Sequence, residues 1–131
     1  MPAAQSPRAL FPQSVVGLTV QANGQLLPVP SRFGVGSNEI VLWVVGNKSG
    51  APISVRLLNF LVNNAPVDPF VWLASDSVQI ANGQIGFIAG IKNPNYKQKV
   101  LVDRVKYTIH VEATNGAFPA VDHDPDGDIK P

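Results

Sequence analysis

Four of the chain's nine acidic residues stand on alternate positions near its end, in Asp122-His123-Asp124-Pro125-Asp126-Gly127-Asp128-Ile129. The spacing Asp-x-Asp-x-Asp-Gly is how a calcium loop opens, because a hard cation needs converging oxygens and a glycine for the sharp turn. On that reading Asp122, Asp124 and Asp126 supply side-chain oxygens, and Asp128 a carbonyl or a carboxylate. Ca²⁺ is then the one cofactor the chain suggests. Lys130 occupies the ninth loop position, and no glutamate follows to close the site. The alternative is a solvated acidic tail whose Asp side chains accept backbone N–H groups in turns.

The second charged feature is a basic run, Lys92, Lys97, Lys99, Arg104 and Lys106, opposed only by Asp103. With Tyr96 and Tyr107 interleaved, such a run could track a phosphate backbone and stack bases. Lysines on a strand edge also deter edge-to-edge pairing. We adopt that reading and expect no nucleic acid. The basic run and the acidic end are complementary, and patches of this kind steer self-association. Lys97, Lys99 and Arg104 are therefore candidate binding residues. Trp72, following Pro69-Phe70, joins them as the aromatic expected at a surface.

Other chemistry is sparse. There is no cysteine, so disulfides, thiolate catalysis and Cys-zinc sites are excluded. The two histidines, His110 and His123, are too few for a zinc site without carboxylate help. No serine sits in a Gly-x-Ser-x-Gly elbow, and no glycine-rich phosphate loop precedes a helix. An enzyme is not expected.

These residues must be held by strands. Twelve Pro and eleven Gly in 131 residues call for many turns and few long helices, and 45% hydrophobic residues are enough for one core. No apolar run reaches the ~20 residues of a membrane span. Residues 1–8 lack the apolar segment of a signal peptide, so the expectation is a cytoplasmic protein or one exported after signal removal. Net charge +1 gives no overall drive toward nucleic acid or membrane.

Strands are expected at 15–22, 25–29, 39–45, 53–62, 70–73, 77–81, 84–91, 100–102 and 105–113, with Asn-Gly turns at Asn23-Gly24, Asn82-Gly83 and Asn115-Gly116. Residues 40–45, Ile-Val-Leu-Trp-Val-Val, are apolar throughout, which calls for cover on both faces or a place at the centre of a sandwich. In the last long strand Tyr107, Ile109, Val111 and Ala113 face one way, and Lys106, Thr108, His110 and Glu112 the other. The expected architecture is an all-β antiparallel sandwich of about seven to nine strands. It has an N-terminal arm (1–14), a sandwich (15–121) and an acidic C-terminal tail (122–131).

From Glu39 onward the pattern resembles bacterial cupredoxin-like and immunoglobulin-like Greek-key sandwich proteins. The matching pieces are Val41-x-Trp43-Val44-Val45-x-Asn47-x-Ser49-Gly50, Asn59-Phe60, Ile88-Ala89-Gly90-Ile91-Lys92, Lys106-Tyr107-Thr108-Ile109 and Asp124-Pro125-Asp126 with Ile129. The resemblance is to the metal-free, uncharacterised branch. Its blue-copper chemistry needs two His and one Cys, and the Cys position near Ile109 is aliphatic. The resemblance implies the fold without redox function. The expected function is a non-enzymatic module for protein binding or self-association as a homo-oligomer, with a calcium-binding module as the alternative.

Overall fold

A computed structural model of the chain describes residues 12–131. Twelve strands follow one another: β1 (Pro12–Val20), β2 (Leu26–Leu27), β3 (Phe33–Val35), β4 (Ile40–Asn47), β5 (Ile53–Val62), β6 (Ala65–Pro66), β7 (Phe70–Trp72), β8 (Ser77–Ile80), β9 (Ile85–Lys92), β10 (Asp103–Ala113), β11 (Val121–His123) and β12 (Asp126–Ile129). They form two sheets. Sheet A runs β2-β1-β4-β9-β7 and sheet B runs β3-β12-β10-β5-β6, with β11 added to β10 and β8 to β5. The fold is the all-β, Greek-key sandwich expected, and the very short strands raise the count above seven to nine. Two pairs, β1 with β4 and β3 with β12, are parallel rather than antiparallel. Parallel neighbours need a long crossover, and the chain between β1 and β4 supplies one.

Several boundaries differ from the sequence reading. β1 begins at Pro12, inside the expected arm, whose residues 1–11 lie outside the described residues. The stretch expected as a separate acidic tail forms β11 and β12, and β12 lies inside sheet B between β3 and β10. Residues 100–102, expected as a strand, belong to the loop before β10. There the Asp103 carboxylate accepts the backbone N–H groups of Lys99 (2.9 Å) and Val100 (3.0 Å), which curls the chain away from a ladder. At Asn23-Gly24 both residues have positive φ (64° and 79°), as the Asn-Gly reading requires, and the turn brings β2 back against β1.

The core lies between the sheets. β10 alternates as expected: Val105, Tyr107, Ile109, Val111 and Ala113 are buried. From sheet A, Val41, Trp43 and Val45 of β4 meet them. Trp43 and Tyr107 are fully buried, and the indole N–H of Trp43 donates to the Tyr107 hydroxyl at 3.0 Å. This bond ties the middle strands of the two sheets. Around it the rings of Phe33, Phe60, Phe70 and Trp72 pack at centroid separations between 5.2 and 5.9 Å. Such contacts add to area burial. A Cβ at Gly127 would lie 2.1 Å from the Phe33 ring, so only glycine lets β12 pass beneath it. Asn47, 1% exposed, is fully satisfied. Its amide donates to the carbonyls of Ala51 and Ile80, and its oxygen accepts from Ser49, which locks β4 to the β8–β9 hairpin.

Replacing Tyr107 by Phe keeps the ring and strands the Trp43 N–H in the core. Urea unfolding followed by tryptophan fluorescence is expected to show a loss of about 1–3 kcal/mol, the cost of an unpaired buried donor. A loss near zero would mean that the bond contributes nothing.

Candidate functional site

The four alternate aspartates are brought to one strand face, and each meets a different partner on β10. Asp128 lies opposite Arg104, Asp126 opposite Lys106 and Asp122 opposite His110. Asp124 accepts a hydrogen bond from the Thr108 hydroxyl at 3.0 Å. Asp122 Oδ1 is 2.6 Å from His110 Nδ1. Asp128 receives two bonds from the Arg32 guanidinium (2.9 and 2.7 Å) and one from Arg104 (3.0 Å). The Arg32 bonds hold its carboxyl below the usual carboxylate range. Arg32 also reaches Asp126 at 3.5 Å. The two-residue spacing that suggested a chelating loop is thus the period of a strand facing an equally spaced strand. Among the described residues no group of three or more His, Asp or Glu converges as a metal site. The two histidines face opposite sides of sheet B, because His123 pairs with inward-facing Ile109 and points to the Gly24 carbonyl.

The acidic half of the charges expected to join separate copies meets partners within one chain, through this ladder. The basic run itself divides. Arg104 belongs to the ladder, and Lys97 and Lys99 stand exposed on the β9–β10 loop. That loop is held from below. Asp103 is fully buried, and its carboxylate accepts from the Tyr96 hydroxyl, the Asn63 amide (2.9 Å) and two backbone N–H groups. Burial pushes this carboxyl up, but the hydrogen bonds from Tyr96, Lys99, Asn63 and Val100 outweigh it and hold it at about 2. Trp72 is half-buried. Its ring packs on Trp43 and Phe60, and its N–H donates to Asp68 at 3.0 Å, so it closes the edge of the core instead of standing free.

The outer faces of the two sheets differ in kind. Sheet B carries the ladder, with Arg56 and Glu112 beside it. On sheet A the cross-strand register defines apolar rows. Phe87 lies beside Val44 and Gly17, and Ile85 beside Gly46 and Thr19. The next row joins Val15, Leu42 and Ala89, and another joins Ile91 and Val71. Ile85 is 62% exposed, Phe87 58%, Val15 54% and Leu73 52%. Among the described residues no charged side chain stands on this face. Four strands about 4.8 Å apart, over about seven residues of ~3.3 Å rise, give a plan area of about 440 Å². A continuous apolar surface of that size is on the scale of the largest patch of a typical monomer, about 300–600 Å², which is often functional. Sequence reasoning missed it, although the signal was present in the apolar run of β4, which called for cover on both faces and receives it on one.

No family model matches the chain, and no curated protein matches it in sequence. Solved structures do match in fold. The Escherichia coli chaperone DraB superposes with a TM-score of 0.61 at 13% identity, over 89% of this chain and 56% of that one. A chain of the CsuC-CsuE chaperone-tip adhesion subunit pre-assembly complex of Acinetobacter baumannii gives 0.59 at 9% identity, over 76% and 48%. The McoA multicopper oxidase of Aquifex aeolicus gives 0.52 at 13% identity, over 96% and 31%. The chain thus spans about half or less of the length of each, and the likeness is one of fold.

The ladder predicts that exchanging EDTA for millimolar Ca²⁺ leaves the melting temperature unchanged. A rise of several degrees that Asp124→Ala abolishes would restore a calcium site. Asp103 has a folded pKa below its unfolded value of ~3.9. Its contribution to stability is present above pH ~4 and is lost as the pH falls toward ~2. Thermal melts from neutral to acid pH are expected to show a decline in this window that Asp103→Asn flattens, at a lower overall stability. An unchanged acid limb in the variant would contradict this assignment.

Proposed function

We propose that this chain is a non-enzymatic β-sandwich module that works by protein contact through the outer face of sheet A, and that its first partner is a second copy of itself. The observation that carries the reading is the uncharged apolar face centred on Val44 and Phe87. In a two-fold pair the same patch meets itself, so a charge near the axis would face its own copy. This face carries none among the described residues. Two sheets packed about 10 Å apart at the usual ~30° angle would continue the sandwich and cover β4 on its second side. Together two such patches cover about 900 Å² in plan, close to the ~1,000 Å² of the smallest specific interfaces, which fits a weak dimer. The face also lacks the devices that blunt unwanted contact, since the charged residues lie on sheet B. Fold likeness to the chaperone DraB and to a chain of the Csu pili chaperone–subunit complex supports a sandwich of this kind serving as a protein-binding unit.

Sedimentation velocity across a concentration series tests it. The wild type is expected to move from monomer to dimer in the micromolar range, and Phe87→Glu, on an exposed position, to remain monomeric with an unchanged melting temperature at low concentration. A wild type that stays monomeric at the highest concentration, or a Phe87→Glu variant that dimerises as well as wild type, would overturn the self-pairing.

A further inference from the structure

Lys92 is the last residue of β9, and it points between the sheets. It is 7% exposed. Its ammonium donates to the Lys130 carbonyl at 2.7 Å and, more weakly, to the Gln98 side-chain oxygen at 3.4 Å. Both acceptors are neutral. Among the described residues no carboxylate lies within 4.0 Å of it. An ammonium has three N–H groups, so one remains free. A buried charge without a counter-charge is costly, and a bound anion is one way to offset it.

Lys92 lines a cavity of about 220 Å³ with Ser37, Asn38, Asn93, Pro94 and Tyr96. That volume has room for a small anion with part of its hydration shell. The other polar groups there are donors or adaptable. The Asn93 side-chain oxygen is occupied by the Asn95 N–H at 2.9 Å, which leaves its NH₂ free to donate. Among the described residues Ser37 and Asn38 make no side-chain hydrogen bond, so a hydroxyl and a second amide are available. Two side-chain carboxylates of the adjoining segments are engaged elsewhere. Glu39 accepts the Gly36 N–H at 2.6 Å, and Asp103 is buried behind the Tyr96 hydroxyl under four donors.

We propose that the cavity between the β3–β4 turn and the start of the β9–β10 loop binds a small oxyanion, a carboxylate or phosphate group, with Lys92 as counter-charge and Ser37, Asn38 and Asn93 as donors. This site is separate from the apolar face and does not depend on it. A cation would meet the Lys92 charge, and an apolar group would leave these donors unpaired.

The test is a titration of the ¹⁵N-labelled full chain with sodium phosphate, sodium acetate or sodium chloride at constant ionic strength, followed by amide chemical shifts. Saturable shifts confined to Ser37, Asn38, Lys92 and Asn93 are expected with one oxyanion and not with chloride. A tighter fit for acetate would identify a carboxylate, and a tighter fit for phosphate a phosphate group. Asn93→Ala and Ser37→Ala, which leave the Lys92 bridge between the sheets intact, are each expected to weaken binding severalfold. Lys92→Gln is expected to abolish it. Shifts that never saturate, or equal affinity in Asn93→Ala, Ser37→Ala and wild type, would overturn the site.

Discussion

The two-residue period of β10 is the constraint on which the rest of the molecule depends. One strand of eleven residues serves both surfaces of sheet B. Its inward side chains supply Tyr107 and the aliphatic residues that meet β4, so they hold the two sheets together. Its outward side chains supply Arg104, Lys106, Thr108 and His110, each facing an aspartate of the returning chain. A shift of one residue would place the charges in the core and Tyr107 in water, so the register of β11 and β12 is strongly specified. Gly127 completes the arrangement, since only a residue without a side chain lets β12 pass beneath Phe33.

From this follows the contrast between the two outer faces. The aspartates of β11 and β12 lie on sheet B, where they face Arg104, Lys106 and His110 of β10 and meet Arg32. Sheet A has no such ladder. Its outer side chains are Val, Leu, Ile, Phe, Ala, Gly and one Thr; Val15, Val71, Leu73, Ile85 and Phe87 stand about half exposed, and Leu42, Val44, Ala89 and Ile91 are partly covered. Water tolerates scattered apolar residues, but a continuous face of them favours burial. The self-pairing proposed above is the outcome that completes the sandwich without bringing like charges together.

The buried polar groups divide in an informative way. Asn47 and Asp103 have all their hydrogen-bonding capacity filled by the chain itself, and each fixes a turn or loop. They read as posts. Lys92 is held by two neutral oxygens and lines a polar cavity, and among the described residues no carboxylate lies within 4.0 Å of it. That difference separates a structural group from one that invites a ligand.

By itself the sequence determined the class of fold. Its β-branched alternation, its Asn-Gly turns and its lack of helical period specify strands, and the parity of 105–113 assigns each side chain of β10 to core or surface. These are local properties, legible because they repeat every two residues. The apolar run at 40–45 also called for cover on both sides, although it named no partner. What only the tertiary structure decided is which strands stand side by side. Alternate aspartates look the same in a chelating loop and on a strand, and the distinction came from β10 lying beside them with its own charges at the same spacing. The free face of sheet A, the cradle around Asp103 and the lone ammonium of Lys92 likewise join residues distant in the chain. Their physics depends on proximity and burial, which no local pattern encodes.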